Sequence, residues 1–146
     1  NVKVVSGEPV LFTGSLLENI TYGNPGYDIT EVKSIVEMLR LDKDIGSVEN
    51  YGDYRIGYDG RALSVGQRQR VALGAALLSK PAILILDEAL SGVEIELEKH
   101  ILNEMDVRYP LMTKVYVSHR IDSASKYDFR ILIDSGSLYV FDETMA

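Results

Sequence analysis

The sequence predicts an α/β protein in which a mostly helical first half packs beside a mostly parallel sheet that ends in a hairpin. Three observations predict this. Apolar residues recur at helical spacing through much of the first half. Ala82 to Leu86 is a continuous apolar run, the kind of strand that a parallel sheet buries on both faces. Near the C-terminus, Phe129–Asp134 and Ser137–Asp142 are β-prone runs separated by Ser135-Gly136, the pattern of a hairpin.

Taken in order, residues 1–5 (NVKVV) form a short β-prone run ended by Ser6-Gly7-Glu8-Pro9. Ser15 to Ile20 suits a short helix, stopped at Tyr22-Gly23-Asn24-Pro25-Gly26. From Asp28, the residues Ile29, Val32, Ile35, Val36 and Leu39 keep one helical face, and Asp28 with Glu31 suits an N-terminal cap. Between Asp42 and Gly60 the chain is polar, glycine-rich and tyrosine-rich, and reads as irregular with room for one short helix. Ser64 to Ser79 is the clearest helix: Ser64 and Gln67 form a capping box ahead of an alanine- and leucine-rich run. A strand follows at Ile83–Leu86, then a helix from Glu94 to Met105 with Leu97, Ile101 and Met105 on one face. A second buried strand is predicted at Val115–Ser118, and the hairpin over Phe129–Phe141 completes the sheet.

At 146 residues the chain is one domain's worth, or a large piece of one, and can bury about two thirds of its unfolded surface. The net charge of −7 points away from a nucleic acid partner, whose phosphates such a chain repels. Cysteine is absent, so neither disulfides nor thiol chemistry enter. No apolar run approaches the roughly 20 residues of a membrane helix. The start lacks an initiator Met and a signal-peptide pattern, and reads as the middle of a longer polypeptide.

Three stretches carry candidate chemistry. The strand at Ile83–Leu86 delivers Asp87 and Glu88 at its carboxyl end, where open α/β sheets bind ligands. The first carboxylate can hold Mg²⁺, and the second can orient or deprotonate a water; by itself the pair also suits a plain helix start. At Ser64-Val65-Gly66-Gln67, the free N–H groups of a helix's first turn form an anion site, and Gly66 lets backbone come close to a phosphate. The same tetrapeptide is also an ordinary capping box. His119 follows a strand and can donate to a terminal phosphate, or can simply be structural. His100, mid-helix, has no assigned role.

Read together, these stretches resemble the nucleotide-binding domain of an ABC transporter. Residues 63–70 (LSVGQRQR) resemble the signature, residues 83–89 (ILILDEA) the Walker B strand with its glutamate, and Ser91 to Glu94 the D-loop. His119 stands at the switch histidine, and residues 8–25 resemble the stretch after the Q-loop in exporter-type members. The resemblance implies the C-terminal part of a P-loop NTPase domain of ABC type. Its helical signature subdomain would span about residues 12–80, and its core about 81–146. No G-x-x-x-x-G-K-[ST] loop occurs in the chain. In the family that loop and the adenine-stacking aromatic lie before the Q-loop, so both are expected ahead of Asn1.

The same resemblance implies ATP and Mg²⁺ as ligands and a place on the cytoplasmic face of a membrane. It implies two partners, a transmembrane domain and a second nucleotide-binding domain docked head to tail. Asp87 would serve Mg²⁺, Glu88 and His119 the chemistry, and Ser64, Val65, Gly66 and Gln67 the partner's ATP. Phe12 to Asn24, with the loop Gly57–Gly60, would dock the membrane domain. Four positions depart from the family pattern: Gly7 replaces the Q-loop glutamine, Val65 the first signature glycine, Glu94 the D-loop aspartate, and Gly57-Tyr58-Asp59-Gly60 the usual G-E-x-G. Two other functions stay open, a degenerate regulatory domain that does not hydrolyse ATP and a soluble ABC-type ATPase of the DNA-repair kind. The acidic balance and residues 9–23 oppose the latter.

Overall fold

The computed structural model describes residues 1–120 and 127–142. In chain order these residues form β1 (Val2–Ser6), α1 (Leu16–Thr21), α2 (Ile29–Met38), α3 (Leu41–Ile45), α4 (Val65–Leu78), β2 (Ile83–Asp87), α5 (Ile95–Arg108), β3 (Thr113–Val117), β4 (Phe129–Asp134) and β5 (Ser137–Asp142). Single 3₁₀ turns at Val48–Asn50 and Tyr58–Gly60 punctuate the stretch before α4. The α/β fold class follows: helices, a parallel sheet and a C-terminal antiparallel hairpin.

Local chemistry starts the helices where the sequence predicts. Ser15 and Ser64 each accept a hydrogen bond from the backbone N–H three residues on, and the side chains of Glu18 and Gln67 in turn accept one from the cap residue's N–H. Asp28 caps α2 through Thr30, not through Glu31. The segment read as irregular has more order than expected. It contains α3, the short helix the sequence leaves room for, and two 3₁₀ turns, and Tyr51 is buried in the core, where burial and the nearby Asp42 push its phenol up to about 12. A long aromatic anchor such as this carries no periodic signal, so the pattern of polar residues around it hides it.

Helix α4 holds the helical part together. From Val71 onward it is apolar all round, with Val71, Leu73, Leu77 and Leu78 in the core beside Leu16, Ile20, Ile35 and Leu39. One buried cation ties it to its neighbours. The Arg70 guanidinium donates to the carbonyls of Gly66, Leu39 and Arg40 and pairs with Asp44. The Leu39 and Arg40 carbonyls lie where α2 ends and α3 begins, so the arginine takes up acceptors that the helix end would otherwise leave unpaired.

The sheet is parallel, in the order β1-β2-β3, and its register sets Val5, Leu86 and Tyr116 in one row and Val4, Ile85 and Val115 in the next. The predicted burial of β2 and β3 on both faces is not what the structure shows. Leu84 and Leu86 are buried, but Ile83, Val115 and Val117 are exposed, as are Val2 and Val4 of β1. The helices cover one face, and among the described residues nothing covers the other. A continuous apolar run therefore marks the strand correctly but does not report which faces this chain itself buries. Strand β3 also starts two residues before the predicted Val115.

The hairpin pairs from Phe129↔Asp142 to Asp134↔Ser137, with Ser135 and Gly136 both at positive φ (49° and 79°), as a two-residue turn of this hand requires. It was expected to extend the sheet. Among the described residues β4 and β5 pair only with each other, and both strands are exposed throughout.

Replacing Arg70 with Ala should unpair buried carbonyls and leave Asp44 without its partner, destabilising the fold by about 1–3 kcal/mol. Arg70→Lys should recover little of this, because an ammonium cannot fork to four acceptors. Urea denaturation of the wild type and the two variants checks both expectations.

Candidate functional site

The parallel register brings the carboxyl ends of all three strands to one edge, with Ser6, Asp87 and Val117 side by side. Gly7, Glu88 and His119 follow from these ends. Glu88 sits in the left-handed region (φ 53°), which turns the chain sharply out of β2. Its N–H donates to the Val117 carbonyl (2.9 Å), and its side chain swings towards the end of β3. There Glu88 Oε1 accepts from the His119 backbone N–H (3.0 Å) and meets His119 Nδ1 (2.8 Å). Glu88 Oε2 is buried and has no hydrogen-bond partner.

A carboxylate only accepts, so His119 Nδ1 must carry the proton of this contact. Nε2 then bears a hydrogen only in the imidazolium form. The ring is largely exposed, and Nε2 is the atom left to face a ligand. Asp87 is exposed at the strand end. The described residues contain no group of three or more metal-ligating side chains. A cation at Asp87 would therefore complete its shell with water and ligand oxygens, which suits Mg²⁺.

Gly7 lies against this turn. A Cβ built on it would stand 2.9 Å from the Glu88 carbonyl oxygen and 3.1 Å from the Glu88 Cβ. Any side chain at position 7 thus requires the Glu88 turn to shift.

The second cluster is the start of α4. Ser64 Oγ accepts from the Gln67 N–H (3.2 Å), and Gln67 Oε1 accepts from the Ser64 N–H (2.8 Å). The capping box is formed, and the Ser64 hydroxyl keeps its own proton to donate. Gly66 is buried against the loop after β2: a Cβ on it would lie 2.5 Å from the Gly92 carbonyl oxygen. Val65 is half exposed and leans on the same loop, its Cγ1 being 2.7 Å from where a Gly92 Cβ would stand. Between Gly7–Pro9 on one side and Val65 and Arg68 on the other lies an open cavity of about 300 Å³.

Two polar groups in this region escape sequence reasoning. Gln69, fully buried, bonds Gly7, Ser91 and Gly92. Arg120 donates to the carbonyls of Val93 (3.0 Å) and Ser91 and pairs with the buried Glu98. Tyr116 donates to the same glutamate, and burial together with that bond raises its phenol well above the ordinary value. Ser91 and Glu94 thus belong to a loop held from two sides. Glu94 is the N-cap residue of α5, exposed and without a side-chain capping bond. Gln69 and Arg120 sit beside the motif residues in sequence, which is the one signal that could have found them.

Comparison with known proteins places the chain. The family model described as "ABC transporter" matches residues 1–91. ABC transporter B family member 21 of Arabidopsis thaliana is 36% identical over 137 residues, covering 94% of this chain and 11% of that protein. The mycobactin import ATP-binding/permease protein IrtB of Mycolicibacterium smegmatis is 33% identical over 136 residues, covering 93% of this chain and 24% of its own length. A solved bacterial Atm1-family ABC exporter with ATP bound superimposes with a TM-score of 0.84 at 29% identity, over 94% of this chain and 24% of that one. The chain therefore spans between about a tenth and a quarter of the length of these relatives.

Gly66→Ala should force α4 and the Gly92 loop apart. The crowded methyl has backbone, not a flexible side chain, as its neighbour, so a loss of about 1–3 kcal/mol is expected. Thermal denaturation measures it; an unchanged midpoint would mean that the close approach is not maintained in solution.

Proposed function

The chain belongs to the ABC transporter family, and from that premise we propose that it is the signature-and-Walker-B part of a domain that binds and hydrolyses ATP to drive transport across a membrane. The observation that carries the proposal is Glu88: one carboxylate oxygen is anchored on His119, and the other is buried without a partner at the end of β2. A carboxylate held in this way can accept a proton from a water as it attacks the terminal phosphate.

The other roles follow from position. Asp87 would hold Mg²⁺, which when bound supplies charge neutralisation on the phosphates. His119 Nε2, on a largely exposed ring, would donate to the terminal phosphate in the imidazolium form. Ser64, Val65, Gly66 and Gln67, at the N-terminus of a 14-residue helix, would meet ATP held by a second nucleotide-binding domain in a head-to-tail dimer. On this reading residues 12–80 are the helical signature subdomain, and residues 81–146 belong to the catalytic core. Among the described residues no helix is long and apolar enough to cross a membrane. The transmembrane domain is a partner, docked on Phe12–Asn24 and Gly57–Gly60. In support, Phe12 and Tyr22 meet in a tilted contact with ring centroids 5.0 Å apart, and both are exposed, as is Tyr58. The domain would then lie on the cytoplasmic face.

One observation favours a second reading, a degenerate domain that binds nucleotide without turning it over. Gly7 stands where the family places a glutamine, and Glu88 crowds that position.

Glu88→Gln in the full-length protein separates the two. Removal of a catalytic base costs about 10²–10⁴ in rate, while ATP binding should persist. Steady-state hydrolysis beside nucleotide binding tests this; an unchanged rate would assign turnover to the partner site and support the degenerate reading.

A further inference from the structure

Gln69 is 0% exposed and uses its amide completely as a donor. Its Nε2 donates to the Gly7 carbonyl (2.7 Å) and to Ser91 Oγ (3.1 Å), and its Oε1 accepts from the Gly92 N–H (2.8 Å). The orientation is dictated. Reversed, the amide would set NH₂ against the Gly92 N–H and oxygen against the Gly7 carbonyl. The two segments it joins are the end of β1 and the loop after β2. Each carries one half of the candidate site: Gly7 packs on Glu88, and Gly92 packs on Gly66. Arg120, next to His119, grips the same loop from the other side through the Ser91 and Val93 carbonyls.

We infer that Gln69 is a positioning residue for ATP turnover, which through its bond to the Gly7 carbonyl fixes the spacing between the Glu88–His119 cluster and the start of α4. The inference rests on the function proposed above. Gln69 touches no reacting group; it acts by holding two backbones at a distance that a free loop would not keep.

The glutamate variant isolates the link. In Gln69→Glu the Gly92 N–H keeps an acceptor, and Ser91 can turn its hydroxyl to donate. While its carboxyl is ionised, the contact with the Gly7 carbonyl alone becomes oxygen against oxygen; Gln69→Met removes that donor whatever the protonation state. In the full-length protein, Gln69→Glu should lower kcat by about tenfold or more, since small displacements of reacting groups cost that much, with KM for ATP within about twofold. A residue that only stabilises the fold would change the melting temperature and leave kcat per folded molecule alone. If Gln69→Glu does not fold, Gln69→Met supplies an uncharged side chain of similar shape, and the same fall in kcat is expected. A kcat within about twofold of wild type in a folded variant would overturn the inference. Hydrogen exchange at the Gly92 amide tests it apart from turnover: exchange should quicken by about tenfold in Gln69→Met, and an unchanged rate would also overturn it. Running Glu88→Gln alongside keeps the two proposals distinguishable. If Glu88→Gln hydrolyses like the wild type, the catalytic reading of this domain fails, and Gln69 is then judged by the exchange measurement alone.

Discussion

The start of α4 lies so close to the loop after β2 that neither Gly66 nor Gly92 has room for a Cβ. Much of the remaining structure depends on that approach. A helix can come this near to another backbone only where side chains are missing, and here the gap is closed by Val65 from one side and Gln69 from the other. From this fixed end α4 runs for 14 residues through the core, so its direction sets where α1 and α2 pack. Arg70 reaches the end of α2 one turn further along. The placement of the helical part relative to the sheet is therefore decided within the first two turns of one helix.

At the sheet edge the constraint is of a different kind. Parallel pairing in register delivers three strand ends together, but each chain must then leave in its own direction. Glu88 does so through a left-handed conformation, which costs a non-glycine residue about 1–2 kcal/mol. The bonds from Glu88 N–H to Val117 and from His119 N–H to the Glu88 carboxylate offset that cost and tie the two exits to each other. Gly7, with no side chain, fits beneath the same turn. On the proposed reading the strained residue is also the one whose carboxylate acts.

The elements themselves were legible because their signals are local. Capping boxes, apolar spacing and the Ser135-Gly136 turn each act within a few residues, and α1, α2, α4 and the hairpin stand where those signals fall. Asp87, Glu88 and His119 were legible as strand-end residues because strand ends are local as well. What could not be read depends on partners distant in sequence. The burial of Gln69 becomes intelligible only once Gly7, 62 residues away, is its neighbour. The Tyr116–Glu98–Arg120 network likewise joins a strand, a helix and the segment after β3. The uncovered row Val4–Ile85–Val115, exposed at Val4 and Val115 and half-buried at Ile85, escaped for the opposite reason. An apolar run states that a strand prefers cover on both faces, not that this chain supplies it.

These distant links bear on how two sites could communicate. On the proposed reading the start of α4 faces ATP held by a partner, while Glu88 and His119 serve ATP held on their own side. Within this chain the two clusters are connected by a short polar path: Gly66 to Gly92 by contact, Gly92 to Gln69 by a 2.8 Å bond, Gln69 to the Gly7 carbonyl by a 2.7 Å bond, and Gly7 to Glu88 by contact. Every step is either a fully oriented hydrogen bond or a backbone approach too tight for a methyl group. The path supplies physical continuity between the two nucleotide sites of the proposed reading; energetic coupling along it is a separate property that double-mutant cycles measure.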